Sequence, residues 1–429
     1  MLKQHIIDMT GKVVLITGGS RGLGRAMALG FAEAGADIVV ASRRIETCEE
    51  VARAVEKLGR TAKRSGFSPS SPLQLVVPAR GARTENCNCN GDRPNCAPHY
   101  TKRGAEWRVM QRKNRGGEMS VFIIGGTGFI GHRLVRLLAA QGQTVTCMDI
   151  NLSGHSFADL GRKVTCVRGD VTQFDDVMST MTAAKPERVV NLSYFLGSDH
   201  APHVAMKLNI LGMDNCFEAA RLLGVKHTMY ASSLAVNGKQ ANYGNRPVTE
   251  ADRVNGEYQY AKHKIVNEWQ AQDYTEKFGM LITGIRPANV TGPDKVRGSV
   301  DHVNIITESA RGNATILPFM DAMRCPIHVD DIAEVFSRVL FAEKPAHRIY
   351  NSGGIAISLG EIADIVRSYL PEAKISFEKE SGGKEVSGNY LIDNTRLVSE
   401  FGVQYRPYRE RVLQIINDIR RDNRLTPIG

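Results

Sequence analysis

Two side chains with the spacing of an acid–base pair lie in the segment YAKHKIVNE. Tyr260 and Lys264 form a Y-x3-K pair, and helical periodicity places both side chains on one face, about one turn apart. A tyrosine hydroxyl has a pKa near ~10, so lowering it to about 7 requires roughly 4 kcal/mol of preference for the phenolate. A nearby positive charge supplies such a preference. The pair therefore predicts a tyrosine that removes the proton of a substrate hydroxyl.

The same segment contains a second pair with the same spacing. Tyr258 and Lys262 also form Y-x3-K, and a pair of this kind occurs by chance in many helices. The spacing alone does not distinguish the two registers, so the choice depends on the residues around them.

A glycine-rich turn earlier in the chain is spaced to hold a dinucleotide. The segment GGTGFIG places Gly125, Gly128 and Gly131 between an apolar strand and an amphipathic helix. Such glycines let the backbone approach a pyrophosphate at the helix amino terminus, where N–H groups and the helix dipole favour an anion. Asp149 ends the next predicted strand, where a carboxylate accepts hydrogen bonds from the adenosine ribose and repels a 2′-phosphate. The turn therefore predicts NAD as the cofactor.

Together these motifs resemble those of the extended short-chain dehydrogenase/reductases, the NAD-dependent epimerase/dehydratase family that contains UDP-glucose 4-epimerase-like enzymes. The resemblance runs from about residue 120 to about residue 420. It implies an α/β fold, a Rossmann-type doubly wound parallel sheet with a smaller C-terminal mixed α/β substrate domain. It also favours Tyr260 and Lys264 over the earlier pair, because Glu268 then completes the family's Y-x3-K-x3-E.

The resemblance adds a serine to the catalytic pair. The segment HTMYASSLAVNG is similar to the family's Y-x-S-S-x-x-V-Y-G, so Ser233 falls on the catalytic serine, with Ser232 as the alternative. The serine hydroxyl is expected to orient the substrate oxygen and to share its proton with Tyr260. Lys264 and the positive nicotinamide ring are expected to lower the pKa of the tyrosine together.

The resemblance also assigns residues to the two ligands. The expected cofactor-binding residues are Gly125, Gly128, Phe129, Ile130, Gly131, Asp149, Asp170, Leu192, Ser193, Lys264 and Pro287. Among them, Asp170 resembles the acid that meets the adenine amine, and Pro287 is expected beside the nicotinamide. Asn209 resembles an asparagine that braces the active site. Asn289 and Arg324 are expected to bind the diphosphate of a nucleotide-sugar substrate. No metal is predicted.

The residues that follow the catalytic hydroxyl bear on the reaction. Dehydratases and decarboxylases of the family carry an acid there, whereas this chain has Leu234 and Ala235, which exchange no proton. The resemblance therefore favours an NAD-dependent nucleotide-sugar epimerase, in which a keto intermediate is reduced on its other face. The alternatives are an NAD-dependent sugar or hydroxy-compound dehydrogenase and, in another class, a non-catalytic dinucleotide-binding regulator.

The first part of the chain has a different pattern. Residues 1-63 predict two strands and two helices around a TGGSRGLG turn, which resembles a truncated single-domain short-chain dehydrogenase, too small to close a core alone. Arg43 and Arg44 follow its second strand and suit a 2′-phosphate, so NADP is conceivable only at this fragment.

The remaining boundaries follow from composition and from the glycine turn. Residues 64-118 predict a basic disordered linker. Within it, Cys87, Cys89, Cys96 and His99 match no common zinc spacing. The predicted NAD-binding domain with the catalytic residues spans 119-292, and the predicted substrate-binding region spans 293-429.

The net charge does not indicate a nucleic-acid partner. The 429 residues carry a formal net charge of +10, but residues 63 to 118 hold eleven Lys and Arg against four Asp and Glu, so seven of the ten excess charges lie there. We interpret this segment as a solvated linker, and no nucleic acid is predicted.

The predicted location is cytoplasmic. No apolar run approaches the ~20 residues that span a bilayer, and the first residues lack a secretory pattern, so no membrane partner is expected. The eight cysteines are expected to be reduced thiols. By resemblance only, the chain is expected to form a homodimer through residues 204 to 223 and 257 to 278.

Overall fold

The computed structural model describes residues 8–42, 45–66, 119–152, 157–196 and 201–429. The chain divides into two compact units, Met1–Glu106 and Trp107–Gly429, each with its own internal packing. None of the described helices is long and apolar enough to cross a membrane.

The first unit is a three-stranded parallel sheet with two helices. Its elements are β1 (Val13–Thr17), α1 (Gly22–Glu33), β2 (Asp37–Ser42), α2 (Ile45–Lys57) and β3 (Ala62–Gly66). The strand order is β1-β2-β3, and Ile16, Ala28, Ile38, Val40 and Val51 are among the residues of its small buried core.

One expectation for this unit was wrong. We expected two strands and a linker from residue 64, but β3 adds a third strand that runs to Gly66. The segment AKRSG has no apolar alternation, and this outer strand is held by its backbone pairing with β2. Val40 and Val51 are fully buried, but Val13 and Leu15 of β1 are 60% and 43% exposed, so the expectation that the fragment does not close a core by itself stays a prediction. The rest of the predicted linker lies outside the described residues.

The second unit begins with alternating strands and helices. In chain order these are β4 (Ser120–Ile124), α3 (Phe129–Ala140), β5 (Thr144–Asp149), β6 (Val164–Arg168), α4 (Phe174–Ala184), β7 (Arg188–Asn191), α5 (Pro202–Met206), α6 (Gly212–Leu222), β8 (His227–Ala231), α7 (Gln259–Phe278), β9 (Ile282–Arg286) and β10 (Asn289–Thr291). A single π-helical turn, Lys207–Leu211, joins α5 to α6.

The remaining elements are shorter and less regular. They are α8 (Asp301–Ala310), β11 (Thr315–Phe319), β12 (Met323–Arg324), β13 (Pro326–His328), α9 (Val329–Phe341), β14 (Ile349–Asn351), β15 (Ile357–Ser358), α10 (Leu359–Tyr369), β16 (Ile375–Lys379), α11 (Gly383–Val386), α12 (Thr395–Phe401) and α13 (Tyr408–Asp422).

A seven-stranded parallel sheet organises the second unit. Its order is β14-β9-β8-β7-β4-β5-β6, and every neighbouring pair is parallel. The chain passes from β4 outward to β6 and then returns to place β7 on the other side of β4. Strand order therefore reverses between β4 and β7, and ligands of such sheets bind at the carboxyl ends of the strands at this point. The predicted α/β doubly wound fold is confirmed.

Helices cover both faces of this sheet, which explains why its strands are apolar on both sides. One core packs β4 and β5 against α3 and α9 through residues such as Leu134, Leu138 and Phe336. On the opposite face, Val177 of α4 and Cys216 of α6 belong to a second core. The sheet is thereby held rigidly, which fixes the positions of the loops at its carboxyl edge.

A smaller mixed region follows the large sheet in sequence. Three two-stranded pairs, β10 with β13, β11 with β16 and β12 with β15, accompany α8, α10 and α13, which share a separate apolar core. The chain nevertheless returns to the large sheet, because β14 forms its edge and α9 packs on α3. A single boundary at residue 292 therefore does not separate the two parts in space.

Candidate active site

The turn after β4 has the geometry that a bound dinucleotide requires. Gly125 has a φ of +77°, and a Cβ there would lie 2.7 Å from the backbone nitrogen of Ser193. A Cβ on Gly131 would overlap the carbonyl oxygen of Gly125, so this glycine lets α3 pack closely under the turn. Gly128 directly precedes α3, and a Cβ there would lie 3.2 Å from the Gly125 carbonyl oxygen. At each of the three predicted glycines, a side chain would thus meet the backbone of the turn or of the loop beside it.

The amino terminus of α3 fits a phosphate group. No side chain caps this helix, and the N–H groups of Phe129 and Ile130 lie in its first turn, where helical geometry gives them no partner within the helix. Unpaired N–H groups and the helix dipole favour an anion there. The structure therefore brings Phe129 and Ile130 to the place where a pyrophosphate would be held.

Asp149 lies beside this turn, at the end of β5. Its Oδ2 accepts hydrogen bonds from the Thr127 hydroxyl at 2.7 Å and from the Thr127 N–H at 3.2 Å. Among the described residues, its Oδ1 has a long contact of 3.4 Å with the Asn151 N–H. One carboxylate oxygen thus anchors the turn, while the other keeps capacity for a ribose hydroxyl, as NAD binding requires. The residues around the turn fit this cofactor.

Two further predicted cofactor residues follow β7, which lies on the other side of β4 from β5. They are Leu192 and Ser193, and the Leu192 N–H donates to the Ile124 carbonyl at 2.9 Å. The hydroxyl and the N–H of Ser193 both bind Asn191 Oδ1, at 2.7 and 3.0 Å. Both residues therefore lie next to the Gly125 turn, on the cofactor side of the sheet edge.

Asp170 has a local structural role in addition to any adenine contact. Its Oδ1 accepts the Thr172 N–H at 2.9 Å, and its own N–H donates to Asp176 at 2.9 Å. This turn fixes the loop after β6. Contact with the adenine amine stays a prediction.

The structure distinguishes the two Y-x3-K registers by burial. Both Tyr260 and Lys264 lie on α7, and Lys264 is only 2% exposed. Tyr258 precedes the helix and is 57% exposed, and Lys262 lies on the solvent side. Only the later pair therefore places its amine in the protein interior.

The two neighbouring serines have different partners. Ser233 follows β8 and precedes a short 3-10 turn that packs against α7, and its Oγ accepts the Ala235 N–H at 3.1 Å. Ser232 is buried and donates to Glu268 Oε1 at 2.5 Å. Ser233 is thus the serine next to the predicted catalytic tyrosine, whereas Ser232 binds Glu268 on α7.

The protein groups alone do not activate Tyr260. Burial raises the pKa of Tyr260 to about 12, although the hydrogen bond with Ser233 lowers it and Tyr258 raises it further. Burial also lowers the pKa of Lys264 well below its ordinary value, although Glu268 raises it. The phenol is therefore the stable form of Tyr260 in the protein alone. The resemblance assigned the lowering of its pKa to Lys264 and the nicotinamide ring together.

Sequence reasoning missed an aromatic partner of the lysine. The Lys264 Nζ lies 3.3 Å from the centroid of the Tyr194 ring and donates to the Ala231 carbonyl at 2.5 Å. The rings of Tyr194 and Tyr260 meet in a T-shaped contact, with centroids 5.3 Å apart. The only available signal was the tyrosine at the end of the segment VVNLSY. Tyr194 therefore fixes the position of the amine through a cation–π contact.

A buried ion pair joins the catalytic helix to two strands. Arg286, at the end of β9, donates through Nε and Nη2 to the two oxygens of Glu268, each at 2.8 Å. The side chains of Arg286 and Glu268 are 4% and 11% exposed. Because Glu268 also accepts from Ser232, it ties α7 to β8 and β9. The sequence motif pointed to Glu268, but nothing in it indicated Arg286.

Asn209 braces the loop beside the predicted catalytic residues. Its side-chain amide exchanges hydrogen bonds with the Phe195 N–H at 2.9 Å and the Phe195 carbonyl at 3.3 Å. It also contacts His263 Nδ1 at 3.2 Å. The loop after β7 is therefore linked to α7 through Asn209.

The predicted substrate residues are held by other parts of the protein. Asn289 Oδ1 accepts the Cys325 N–H at 2.8 Å. Arg324 forms a two-pronged ion pair with Asp301 and donates through Nη1 to the Met323 carbonyl at 2.7 Å. Pro287 is buried, and its carbonyl accepts the Leu234 N–H at 3.0 Å. Each side chain thus has a structural role, whatever ligand it meets.

The first unit has its own glycine turn. Gly18 and Gly22 have φ values of +70° and +55°, and a Cβ on Gly24 would overlap the Gly18 carbonyl oxygen. Arg43 and Arg44, on which the NADP expectation depends, lie outside the described residues. The cysteine-rich segment of residues 87 to 99 lies outside them as well.

Comparison with known proteins agrees with the two-part organisation. A family model described as the NAD dependent epimerase/dehydratase family matches residues 121–353, and a short chain dehydrogenase model matches residues 12–68. Over 70 residues, which is 16% of this chain and 22% of the relative, the chain is 53% identical to the short chain dehydrogenase pigC of Monascus ruber.

Other relatives match over more than half of the chain. The chain is 28% identical over 313 residues to protein CapI of Staphylococcus aureus, covering 64% of this chain and 86% of the relative. It is 30% identical over 232 residues to a UDP-glucose 4-epimerase of Mycolicibacterium smegmatis, covering 51% and 72%.

Solved structures share the fold. A UDP-glucose 4-epimerase of Thermus thermophilus, in complex with NAD, matches with a TM-score of 0.62 and 22% identity over 70% of this chain and 98% of that one. A GalE-like L-threonine dehydrogenase from Cupriavidus necator matches with a TM-score of 0.61 and 20% identity, over 70% and 99%. Since the first family model covers more than half of the 429 residues, the chain belongs to the NAD dependent epimerase/dehydratase family.

Proposed function

We propose that this chain is an NAD-dependent nucleotide-sugar epimerase. The observation that carries the proposal is the position of Ser233 at the carboxyl end of β8, beside the start of α7, where Tyr260 lies one helical turn from buried Lys264. The same edge of the large sheet also carries the Gly125 turn. A hydroxyl-bearing carbon placed there has a proton acceptor beside it and a dinucleotide site next to it.

The proposed chemistry assigns one task to each side chain. Ser233 hydrogen-bonds the substrate hydroxyl and orients it toward Tyr260. Tyr260, once ionised, accepts the proton of that hydroxyl and returns it when the carbonyl is reduced. Lys264 stabilises the phenolate by its charge. NAD, held by the Gly125 turn and Asp149, would supply reversible hydride acceptance at the same carbon. The configuration would invert if the oxidised sugar presented its other face before its reduction.

The residues beside Ser233 support epimerisation over dehydration. Leu234 and Ala235 form the start of a short 3-10 turn, and neither carries an ionisable group. An elimination of water needs a proton donor for the leaving hydroxyl and a base for the carbon acid. With apolar side chains at these positions, the tyrosine is the group placed to transfer a proton, which suits reversible oxidation.

For the substrate, we propose a nucleotide diphosphate sugar held by Asn289 and Arg324. The relatives named UDP-glucose 4-epimerase support this class. A diphosphate reaching Arg324 would compete with Asp301, because that carboxylate already occupies Nε and Nη2. Despite its burial, hydrogen bonds from His302 and Arg324 hold the pKa of Asp301 far below its ordinary range, so the competitor is a full negative charge.

That same ion pair is the observation that favours a dehydrogenase as the second candidate. If Asp301 keeps Arg324, that arginine is not available to a diphosphate, and a small hydroxy compound without phosphate becomes the better substrate. A shared fold with L-threonine dehydrogenases is consistent with this candidate. A non-catalytic dinucleotide-binding regulator is the third candidate, and the position of Ser233 beside Tyr260 counts against it.

We also propose a homodimer through the helices flanking the site. Val204 on α5, Leu211 on the π-helical turn and Val266 on α7 are large apolar side chains between 39% and 44% exposed. Apolar side chains exposed on neighbouring helices are typical of a protein interface. Sedimentation equilibrium of the full chain tests this, and a monomer at micromolar concentration would contradict it.

Incubation with UDP-galactose and with UDP-glucose tests the proposed function. Proton NMR reads the configuration at carbon 4, and absorbance reads NADH. Interconversion without net NADH is the expected result, and stoichiometric NADH identifies a dehydrogenase instead. Tyr260→Phe is expected to lose turnover by at least about 100-fold while keeping NAD, since general acid–base groups contribute about 10²–10⁴-fold. A variant that keeps full turnover contradicts the assigned roles.

A further inference from the structure

A groove of about 420 Å³ lies against α7, away from the face that this helix turns toward the π-helical turn. We call it the α7 groove, and its α7 wall is formed by Ile265, Glu268, Trp269 and Gln272. These residues follow the i, i+3, i+4, i+7 spacing of one helix face. Asn267, by contrast, donates to the Asn209 carbonyl on a different face. The α7 groove therefore lies on a different face of α7 from Asn267, and its wall shares Glu268 with the ion pair that holds Ser232.

The floor of the α7 groove contains polar side chains with spare hydrogen-bonding capacity. Tyr230 on β8 and Arg286 on β9 both line it and are 1% and 4% exposed. Within the described part of the chain, the Tyr230 hydroxyl and Arg286 Nη1 have no hydrogen-bond partner. A buried polar group without a partner is costly, so a ligand that supplies one gains affinity.

The carboxylates around the groove are already paired. Glu268 binds Arg286, and Asp252 binds Arg246 at 2.6 Å. Glu250 lies 3.4 Å from the Nε of Arg396. Each of these carboxylates thus has an arginine of the protein beside it, although Glu250 Oε2 is buried and accepts no hydrogen bond within the described part of the chain.

The cations at the mouth of the groove are not neutralised to the same extent. Arg253 is exposed and forms no ion pair among the described residues. Arg348 has one partner, Glu276 at 3.2 Å, and both side chains are about half exposed. An exposed pair of this kind contributes little stability and exchanges partners easily. The unsatisfied charge at the mouth is thus positive.

Apolar surface lies next to these cations. Trp269 lies on α7, the helix through which we propose dimerisation, and its side chain is 70% exposed at the rim in a single protomer. Val254, Ile265 and Ile349 line the groove beside it. An exposed indole offers a flat face on which a planar group can stack. A ligand that fits both features combines a flat apolar body with an anionic end.

We propose that the α7 groove binds a small aromatic anion, a carboxylate or a phosphate ester, with its ring on Trp269 and its charge at Arg253 and Arg348. The site is independent of the proposed epimerase activity, because none of these three side chains belongs to the active site. The groove wall does contact the catalytic region, since Glu268 holds Ser232, the neighbour of Ser233. A ligand bound in the α7 groove is therefore expected to affect the active site through α7.

Tryptophan fluorescence tests the proposal directly. The chain has two tryptophans, Trp107 and Trp269, so Trp107→Phe leaves Trp269 as the single reporter. The full chain with this change is titrated, in saturating NAD, with phenyl phosphate and with benzoate. Benzyl alcohol is the control that has the ring but no charge. Inorganic phosphate is the control that has the charge but no ring. Saturable quenching by one or both aromatic anions, at least about tenfold tighter than by either control compound, is expected.

Paired variants assign the binding to the two arginines. In the same background, Arg253→Gln with Arg348→Gln is expected to weaken binding at least about tenfold, because charged hydrogen bonds to the anion are lost. Lys277→Gln, which removes an exposed cation from the same helix outside the groove, is expected to leave the affinity unchanged. Equal affinity in the double variant, equal binding of benzyl alcohol, or no saturable change with either anion would overturn the proposal. Which anion binds more tightly separates a carboxylate site from a phosphate site.

Discussion

Replacing Glu268 by glutamine tests whether the buried ion pair holds the catalytic helix in place. The carboxylate accepts two hydrogen bonds from Arg286 at 2.8 Å and one from Ser232 at 2.5 Å. Glutamine has nearly the same volume and keeps one acceptor oxygen. The change therefore removes charge from the network without creating a cavity, and Arg286 is left as a buried cation without its counter-ion.

The expected loss follows from the burial of the pair. Breaking a buried ion pair by removing one partner costs about 3–5 kcal/mol, and the retained amide acceptor places Glu268→Gln near ~3 kcal/mol. With roughly 2 °C per kcal/mol for a large domain, the melting temperature is expected to fall by about 6 °C. Turnover should fall as well, because Ser232 then loses a charged acceptor beside Ser233.

Urea unfolding of the full chain, followed by circular dichroism, measures this effect. Glu334→Gln is the matched control, because Glu334 pairs with Arg338 on α9 while both side chains are about 40% exposed. An exposed pair contributes about 0–1 kcal/mol. If Glu268→Gln and Glu334→Gln lowered the free energy of unfolding equally, the structural role assigned to the Glu268 pair would be wrong.

Three further predictions follow from other parts of the structure. Gly131→Ala is expected to weaken NAD binding at least about tenfold by calorimetry, since its Cβ would meet the Gly125 carbonyl, while Gly388→Ala, which meets nothing within 4 Å, should bind normally. Residues 119–429 alone should bind NAD with unchanged affinity, because the second unit has its own cores, and a tenfold loss would refute that independence. Burial lowers the pKa of His227 to about 4, below its ordinary value near 6.5. The unfolded chain therefore binds the extra proton, and the free energy of unfolding should fall as pH drops from about 6.5 to about 4. Urea titrations at pH 7 and 5 should show a smaller loss in His227→Gln, and an equal loss would contradict the assignment.

Local patterns in the sequence were sufficient to predict the first half of the large sheet. Strand β4, the Gly125 turn and α3 are contiguous, so apolar periodicity and glycine spacing identify all three together. Strand β14 was not predictable in this way, because Ile349–Asn351 is three residues long and joins β9 only through the tertiary fold. The same holds for β3, whose residues pair through the backbone and carry no apolar alternation.

The candidate site shows the same limit. Tyr260 and Lys264 are one helical turn apart, so their meeting follows from sequence spacing alone. Arg286 and Asp301 were not predicted, because their partners Glu268 and Arg324 lie 18 and 23 residues away and are brought to them by packing. Tyr194 reaches Lys264 from a loop after a different strand. Long-range pairs of this kind leave no periodic trace in the chain.

Isotope labelling tests the central claim most directly. UDP-glucose carrying deuterium at carbon 4 is incubated with the full chain, and the product is read by NMR and mass spectrometry. The proposed mechanism predicts UDP-galactose that keeps the deuterium at carbon 4, because the hydrogen leaves and returns within one closed site. Deuterium released to solvent or found in free reduced cofactor would contradict an epimerase, as would the absence of any conversion.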